Sequence, residues 1–154
     1  MDKLWAPWRI NYVKAKHKRK CIFCRAKSHP SIDYVFLKTK HCVAMLNNFP
    51  YNNGHAMVAP LRHIKELEVL NNEELLDLIL TLNKTKKLLC KTLKPDGFNI
   101  GINLSASAGA GIPGHLHIHI VPRWKGDTNF MPVIFNTKVI SQSLGELFNK
   151  LKKC

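Results

Sequence analysis

The sequence lacks any long hydrophobic run and any recognisable targeting segment. No apolar stretch among the 154 residues approaches the roughly 20 residues that a membrane-spanning helix needs. The first residues, MDKLWAPWRINYVKAKHKRK, carry charges where a secretory signal would have its apolar segment. We therefore expect a cytoplasmic protein without membrane association.

Acidic and aromatic residues are both scarce. The chain has only 10 Asp and Glu residues but 24 Lys and Arg residues, which gives a formal net charge of +14. Aromatic residues make up 8% of the chain. This charge favours anionic partners such as nucleic acid, phosphate-rich ligands or an anionic membrane, although solvated basic surfaces alone would also produce it. The charge by itself therefore selects no function.

Cysteine is present, but not in a pattern that suggests disulfides. Five cysteines in a reducing compartment argue against a disulfide framework. Cys42, Cys90 and Cys154 are isolated, whereas Cys21 and Cys24 form the C-x-x-C motif CIFC. This spacing lets two thiolates face one zinc ion. The alternatives are two cysteines that only neighbour each other in a loop, or a redox dithiol, which would need a preceding strand.

A tetrahedral zinc site would need two further ligands, and the chain has no second C-x-x-C motif. Histidines must then complete a Cys2His2 site. His63 and one histidine of the segment GHLHIHIVPRW (114–124) are the best candidates, because both lie at predicted strand ends. The remaining histidines are expected at the surface (His17, His29, His41) or in the core (His55).

The distribution of apolar and turn residues predicts an α+β fold. Short apolar segments predict strands at 34–46 (two, around a turn at 39–41), 55–60, 98–104 and 115–122. Asn71 or Asn72 is the expected N-cap of a long helix that Pro95 and Gly97 end, and 142–153 predicts a shorter helix. Strands with short connections around one long helix favour a sheet with that helix on one face.

The length supports one sizeable core rather than two. We find no internal repeat and no linker, so residues 1–154 are expected to form a single domain. We divide it into an N-terminal segment with the cysteine pair (1–30), a core (31–124) and a C-terminal extension (125–154).

Three histidines alternate with apolar residues in the segment HLHIHIV. On a strand, His115, His117 and His119 would line one face while the apolar residues line the other. A buried polar stripe without purpose would cost desolvation. A pure metal site would have too many ligands for one zinc once the C-x-x-C pair is counted. The third interpretation divides the roles: one histidine is structural and another is a nucleophile, for which a neutral imidazole is suited.

The residues before this segment are small and rich in glycine. SAGAGIPG (107–114) could present backbone N–H groups to an anion, although an ordinary hairpin connection is the alternative. The loop matches neither the dinucleotide-binding nor the P-loop motif. Asn103, on the preceding predicted strand, could orient an imidazole or a phosphate oxygen. The loop and the histidines together favour a phosphate-containing substrate.

HLHIHIV resembles the His-x-His-x-His-x-x motif of the histidine-triad (HIT) superfamily of nucleotide hydrolases and transferases. AMLNNFPYNNGHAMVAPLRHI is similar to that family's strand, ribose-binding turn and strand, and GFNIGINL resembles its Asn-bearing strand. The flanks LWAPWRINYV and RWKGDTNFMPV resemble the bacterial and archaeal diadenosine-polyphosphate phosphorylase-like branch. The resemblance implies a HIT-type antiparallel sheet of about five strands, with one long helix and a shorter C-terminal helix, and a homodimer.

The resemblance also implies roles for individual residues. His117 would attack the α-phosphorus and carry a nucleotidyl intermediate, His119 would contact the phosphate, and Asn103 would hold the site in register. Asn47 stands where many relatives have an Asp that binds the ribose hydroxyls. The implied ligands of a structural zinc ion are Cys21, Cys24, His63 and His115.

One departure concerns the nucleotide-binding loop. Relatives that hydrolyse usually have Gln and Ser or Thr where this chain has Gly111 and Ile112. The missing side chains are compatible with inorganic phosphate as the acceptor. The expected reaction is phosphorolysis of diadenosine tetraphosphate to ATP and ADP, and the alternative is hydrolysis of dinucleoside polyphosphates or nucleoside phosphoramidates.

An alternative from another class is a basic zinc-stabilised nucleic-acid-binding protein, which would use the net charge and the C-x-x-C pair. The few aromatic residues are not interleaved with the basic runs. No pair of histidines follows the cysteines at zinc-finger spacing. We therefore do not expect nucleic acid as the partner.

Overall fold

The structure is a computed structural model that describes residues 21–26, 34–128 and 139–153. These residues form three α-helices and five strands, which are, in chain order, α1 (Ile22–Ala26), β1 (Val35–Lys38), β2 (Cys42–Leu46), β3 (Ala56–Pro60), α2 (Asn72–Leu93), β4 (Gly97–Ile102), β5 (Ile118–Arg123) and α3 (Leu144–Lys152). The α+β class, the long helix and the shorter C-terminal helix are confirmed. The division at residues 30 and 124 stays a prediction.

All strands pair antiparallel in one sheet of order β1-β2-β3-β5-β4. The central strands β2 and β3 are buried at every position. Their residues alternate between two apolar clusters, because successive side chains on a strand point to opposite faces of the sheet. The sequence predicted a helix on one face, and the structure covers both: α2 packs on one face and α1 contributes Phe23 and Ala26 to the other.

The long helix α2 begins and ends at well-formed caps. The side chain of Asn71 accepts from the backbone N–H of Glu74 at 2.9 Å, and the Glu74 carboxylate accepts from the N–H of Asn71 at 3.1 Å. This reciprocal pair satisfies backbone donors that a helix start leaves free. Glu74 also binds Arg62 through two contacts of 2.8 and 2.7 Å, and thereby ties the segment after β3 to the helix.

The turn between β2 and β3 packs closely against the end of α2. Gly54 has a φ of +75°, and a Cβ at this position would collide with the side chain of Leu93. Glycine tolerates both constraints because it has no side chain. Asn52 donates to the carbonyl of Pro122 at 3.1 Å and to Asp127 at 2.8 Å. These contacts hold the turn against the end of β5 and the residues that follow it.

In the described ranges, no helix is long and apolar enough to cross a membrane.

Candidate active site and metal centre

The strand predicted at 115–122 begins three residues later, at Ile118, so that only His119 of the three histidines lies in β5. Before that point the chain leaves the β3 ladder, because the N–H of Leu116 donates to the carbonyl of Ile64 at 2.6 Å. The predicted alternation nevertheless persists. Leu116 and Ile118 belong to the core on the α2 side, whereas the rings of His115 and His117 contact Phe23 on the opposite face.

Four side chains that were candidate zinc ligands come together, namely Cys21, Cys24, His63 and His115, and we call them the Cys/His cluster. One ligand atom from each lies within 4.8 Å of the others. Cys21 Sγ is 3.2 Å from His115 Nδ1, and Cys24 Sγ is 3.2 Å from His63 Nδ1. The two histidine Nδ1 atoms are 3.1 Å apart. The C-x-x-C motif at the start of α1, the segment after β3 and the approach to β5 therefore converge on one point.

The donor set fits a tetrahedral zinc ion. With Zn–S bonds of about 2.3 Å and Zn–N bonds of about 2.0 Å, tetrahedral ligand atoms are separated by roughly 3.3–3.8 Å. Four of the six ligand-atom pairs in the Cys/His cluster are 3.1–3.7 Å apart, and all six lie within 4.8 Å. His115 Nε2 lies 2.8 Å from the carbonyl oxygen of Pro60, which can only accept. This bond fixes the proton on Nε2 and leaves the lone pair of Nδ1 for a metal.

His117 has the opposite arrangement of its ring nitrogens. Its Nδ1 lies 2.8 Å from the carbonyl oxygen of His115, so Nδ1 carries the proton and donates. The lone pair of a neutral His117 is then on Nε2. A backbone carbonyl two residues away thus holds the ring in the tautomer that a nucleophile requires.

His119 is oriented by His55, a residue that the sequence placed in the core without a role. The backbone N–H of Tyr51 donates to His55 Nδ1 at 3.1 Å, which leaves the proton of His55 on Nε2. His55 Nε2 then donates to His119 Nδ1 at 2.9 Å. His119 consequently carries its own proton on Nε2. We call His55, His117 and His119 the reactive histidine group.

Burial keeps this group uncharged. Burial lowers the pKa of His55 to about 3 and that of His119 to about 4, and neighbouring histidines contribute in the same direction. Burial also lowers the pKa of His117, although its bond to the His115 carbonyl opposes the shift. Burial likewise lowers the pKa of His115 to about 4. All four rings are therefore neutral near pH 7.

Among residues with a predicted nucleotide role, Asn47 contacts the reactive histidine group, and Asn103 comes directly after β4. Asn47 Nδ2 lies 3.4 Å from each ring nitrogen of His55, and its Oδ1 accepts from the N–H of Phe49 at 2.9 Å. Asn103 follows Ile102, the last residue of β4, which pairs with Ile118 at the start of β5. Asn103 is half-buried.

The loop that precedes the histidines is mostly exposed. It folds on itself through bonds from the N–H of Gly109 to the carbonyl of Ala106 at 3.0 Å and from Ala110 to Ser105 at 3.3 Å. Gly111 is exposed, whereas Ile112 packs against the apolar cluster that contains Phe23. The predicted nucleotide contacts of these two residues stay predictions.

Sequence reasoning missed the role of His55 and Tyr51. His55 shares a face of the sheet with Met57, and Met57 pairs with His119. That pairing register was not visible in the sequence. Tyr51 is 58% exposed, and its ring stacks on His55 with 4.5 Å between the centroids. His17, His29, the whole N-terminal flank LWAPWRINYV (4–13) and the last five residues of the flank RWKGDTNFMPV (129–133) lie outside the described residues.

Comparisons with known proteins identify the family. A family model described as HIT domain matches residues 30–126. The chain is 38% identical over 154 aligned residues to an AP-4-A phosphorylase of Mycobacterium tuberculosis, covering 94% of this chain and 79% of the relative. It is 34% identical over 102 residues to an asymmetrical bis(5'-nucleosyl)-tetraphosphatase of Schizosaccharomyces pombe, covering 66% of this chain and 56% of the relative.

A solved structure supports the fold. A histidine triad family protein from Mycobacterium smegmatis, described as Zn-bound, superposes with a TM-score of 0.70. The superposition covers 87% of this chain and 91% of that protein, at 23% sequence identity. At this identity, the likeness establishes the shared architecture.

Proposed function

The chain belongs to the HIT domain family, and from that premise we propose that it transfers a nucleotidyl group from a dinucleoside polyphosphate through a covalent intermediate on His117. The observation that supports this proposal is that two adjacent imidazoles carry their protons on different ring nitrogens. His117 offers a lone pair at Nε2, whereas His119 offers an N–H at Nε2. A nucleophile beside a hydrogen-bond donor is the combination that attack on a phosphate requires.

In the first step, His117 Nε2 attacks the α-phosphorus. A bond forms between nitrogen and phosphorus, the bond from phosphorus to the bridging oxygen breaks, and a mononucleoside polyphosphate leaves with the electron pair. The Nε2–H of His119 donates to the phosphate. Backbone N–H groups of the 109–114 loop beyond Ala110, apart from Pro113, stabilise its negative charge, because those of Gly109 and Ala110 already donate within the loop. In the second step, an acceptor attacks the nucleotidyl-histidine and releases His117.

We propose inorganic phosphate as the acceptor. The AP-4-A phosphorylase relative supports this, as does the absence of the Gln and Ser or Thr side chains at Gly111 and Ile112. Water is far more abundant, so phosphate needs a positioned site, which is worth about 1.4 kcal/mol for each tenfold preference. Basic side chains at the surface and backbone N–H groups of the loop can bind phosphate at such a site. The alternative is hydrolysis with the same nucleophile, which the S. pombe relative favours.

We propose that the Cys/His cluster holds a structural zinc ion. The four-ligand set and the 3.1–3.7 Å separations of four of its ligand-atom pairs support this assignment, and a protein of the same fold is described as Zn-bound. Bound there, zinc would cross-link α1, the segment after β3 and the approach to β5, and it would stabilise the fold. The carbonyl of Pro60 holds the His115 ring, and the bond from Arg62 to Glu74 ties the segment that carries His63 to α2.

We further propose that the protein acts in the cytoplasm as a homodimer. Adjacent turns of α2 expose Leu75, Leu76, Ile79 and Leu80, and β4 is an edge strand that exposes Ile100. Exposed apolar stripes and unpaired strand edges are surfaces that a second copy can cover. Sedimentation of the parent and of Leu76→Lys tests this: a dimer that the substitution dissociates supports it, and a monomeric parent contradicts it.

Labelled phosphate tests the reaction. The protein is incubated with diadenosine tetraphosphate, with and without labelled inorganic phosphate, and the products are separated. Phosphorolysis yields ATP and ADP, with the label in ADP. Unlabelled products at an unchanged rate, namely ATP and AMP or two ADP, show hydrolysis instead. Retardation of nucleic acid at moderate salt without dinucleotide turnover would favour the binding-protein alternative.

A further inference from the structure

Besides its two sulfur atoms, the C-x-x-C motif brings an aromatic ring close to the histidines. Phe23 lies between Cys21 and Cys24 on α1, and its exposed fraction is 0%. The centroid of its ring is 5.0 Å from that of His115 and 5.0 Å from that of His117. A single side chain of the metal-binding motif therefore contacts both a ligand of the Cys/His cluster and the proposed nucleophile.

A backbone contact makes a second link between the same two regions. The imidazole of His115 belongs to the Cys/His cluster, while its carbonyl oxygen accepts the Nδ1–H of His117 at 2.8 Å. A shift of α1 or of His115 would therefore disturb two supports of the His117 ring together. Packed interiors transmit such shifts because they contain few voids.

The orientation of Phe23 also suits the chemistry. The Phe23 and His117 ring planes are inclined by 34°, closer to parallel than to perpendicular. When Nε2 of His117 bonds to phosphorus while Nδ1 keeps its proton, the imidazole acquires a positive charge. An aromatic face within about 6 Å attracts a cation. The Phe23 ring thus lies beside the group on which the charge develops.

We propose that Phe23 is a positioning residue that couples the Cys/His cluster to His117. It holds the imidazole against the His115 carbonyl and stabilises the charged nucleotidyl-histidine. The inference rests on the proposed function, because it takes His117 as the nucleophile. It assigns the C-x-x-C motif a part in the reaction beyond stabilisation of the fold.

The test compares Phe23→Leu with Ile22→Ala. Ile22 also lies between the two cysteines and packs against the same apolar cluster, so the control perturbs α1 while leaving Phe23 in place. For Phe23→Leu we expect one zinc per chain, nucleotide affinity within about threefold of the parent, and formation of the nucleotidyl intermediate slowed about tenfold or more. Ile22→Ala should form the intermediate at nearly the parent rate. Equal rates for the two zinc-loaded variants would overturn the proposal.

A second variant guards against a folding defect. Site-specific replacement of Phe23 by a trifluorinated phenylalanine keeps the shape but weakens the negative face of the ring. We expect slower formation of the intermediate with an unchanged melting temperature. An unchanged rate would remove the electrostatic part of the proposal.

A readout without substrate separates this inference from the proposed function. In the ligand-free, zinc-loaded protein, NMR of the His117 side chain reports solvent exchange of its Nδ1–H. We expect exchange to be about tenfold faster in Phe23→Leu and in the chelator-treated parent, and unchanged in Ile22→Ala. If the parent forms no intermediate, the proposed function fails, yet this exchange still decides the role of Phe23. Unchanged exchange in Phe23→Leu would overturn that role.

Discussion

The Cys/His cluster and the reactive histidine group both take histidines from the segment 115–119, yet the rings of these histidines present different atoms. His115 is protonated at Nε2 by its bond to Pro60 and turns Nδ1 toward the sulfur atoms. His117 is protonated at Nδ1 by its bond to His115 and keeps Nε2 free. His119 accepts from His55 at Nδ1, so it becomes a donor at Nε2. The backbone and neighbouring groups, rather than the residue type, therefore set the chemistry of each histidine.

The two regions also differ in accessibility. In the Cys/His cluster, His63 is exposed, the cysteines are half-buried and His115 is buried. In the reactive histidine group, His55 and His117 are buried and His119 is half-buried. Losing a member of the first should mainly cost stability, and losing a member of the second should mainly cost rate. Substitutions in each region test that separation.

The largest effect should follow from His117→Ala. We expect turnover of diadenosine tetraphosphate to fall by about 10⁴-fold or more, because the nucleophile is lost, while nucleotide affinity stays within roughly tenfold. Single-turnover kinetics and mass spectrometry of the intermediate provide the measurement. His119→Ala should retain some activity. A His117→Ala protein that turns over at the parent rate would show that the nucleophile lies elsewhere.

Cys24→Ala should break the Cys/His cluster. We expect the melting temperature to fall by about 10 °C, because a four-ligand zinc site contributes to folding free energy. Metal analysis should find about one zinc per chain in the parent and less in the variant. Cys90→Ala is the matched control, since Cys90 is an exposed cysteine on α2. A metal-free parent with the same melting temperature as Cys24→Ala would contradict the zinc assignment.

His55→Leu should separate the orientation of His119 from its presence. The leucine removes both ring nitrogens, so His119 loses the donor that sets its proton on Nε2. We expect the rate of the chemical step to fall by about 10²-fold, with zinc content unchanged. His41→Leu provides the control, because the His41 ring lies 3.3 Å from Glu73 on α2 and outside both histidine regions. Parent-like kinetics in His55→Leu would refute this role.

The smallest effect concerns pH. The folded-state pKa of His55, about 3, lies below the ordinary value of 6.5, so below pH 6.5 the unfolded chain takes up protons that the folded chain does not. This group therefore contributes a loss of stability as the pH falls from 6.5 toward 3. In His55→Leu, the unfolding free energy should change less steeply with pH over that window. The difference in slope should correspond to at most one proton taken up on unfolding. Denaturant unfolding from pH 7 to pH 4 measures it, and equal slopes in both proteins would count against the assignment.

Much of the fold was predictable because its local patterns are strong. The apolar segments of β1, β2 and β3 and the Asn71 cap of α2 lie where turn residues and capping chemistry placed them. The start of β5 was not predictable from alternation, because the bond from Leu116 to Ile64 that ends the ladder involves a distant loop. The second covered face of the sheet likewise depends on how Phe23 packs.

By itself, the sequence determined which chemical groups the protein contains: a cysteine pair suited to one metal ion, alternating imidazoles and a glycine-rich loop. It also led to the four residues of the Cys/His cluster through the resemblance to the HIT family, and the structure brings these residues together. Only the tertiary structure decided which ring nitrogen each histidine leaves free and that His55 belongs with His119. Tautomers depend on hydrogen-bond partners up to 64 positions apart in the chain, and such pairings follow from strand register, which local sequence patterns leave open.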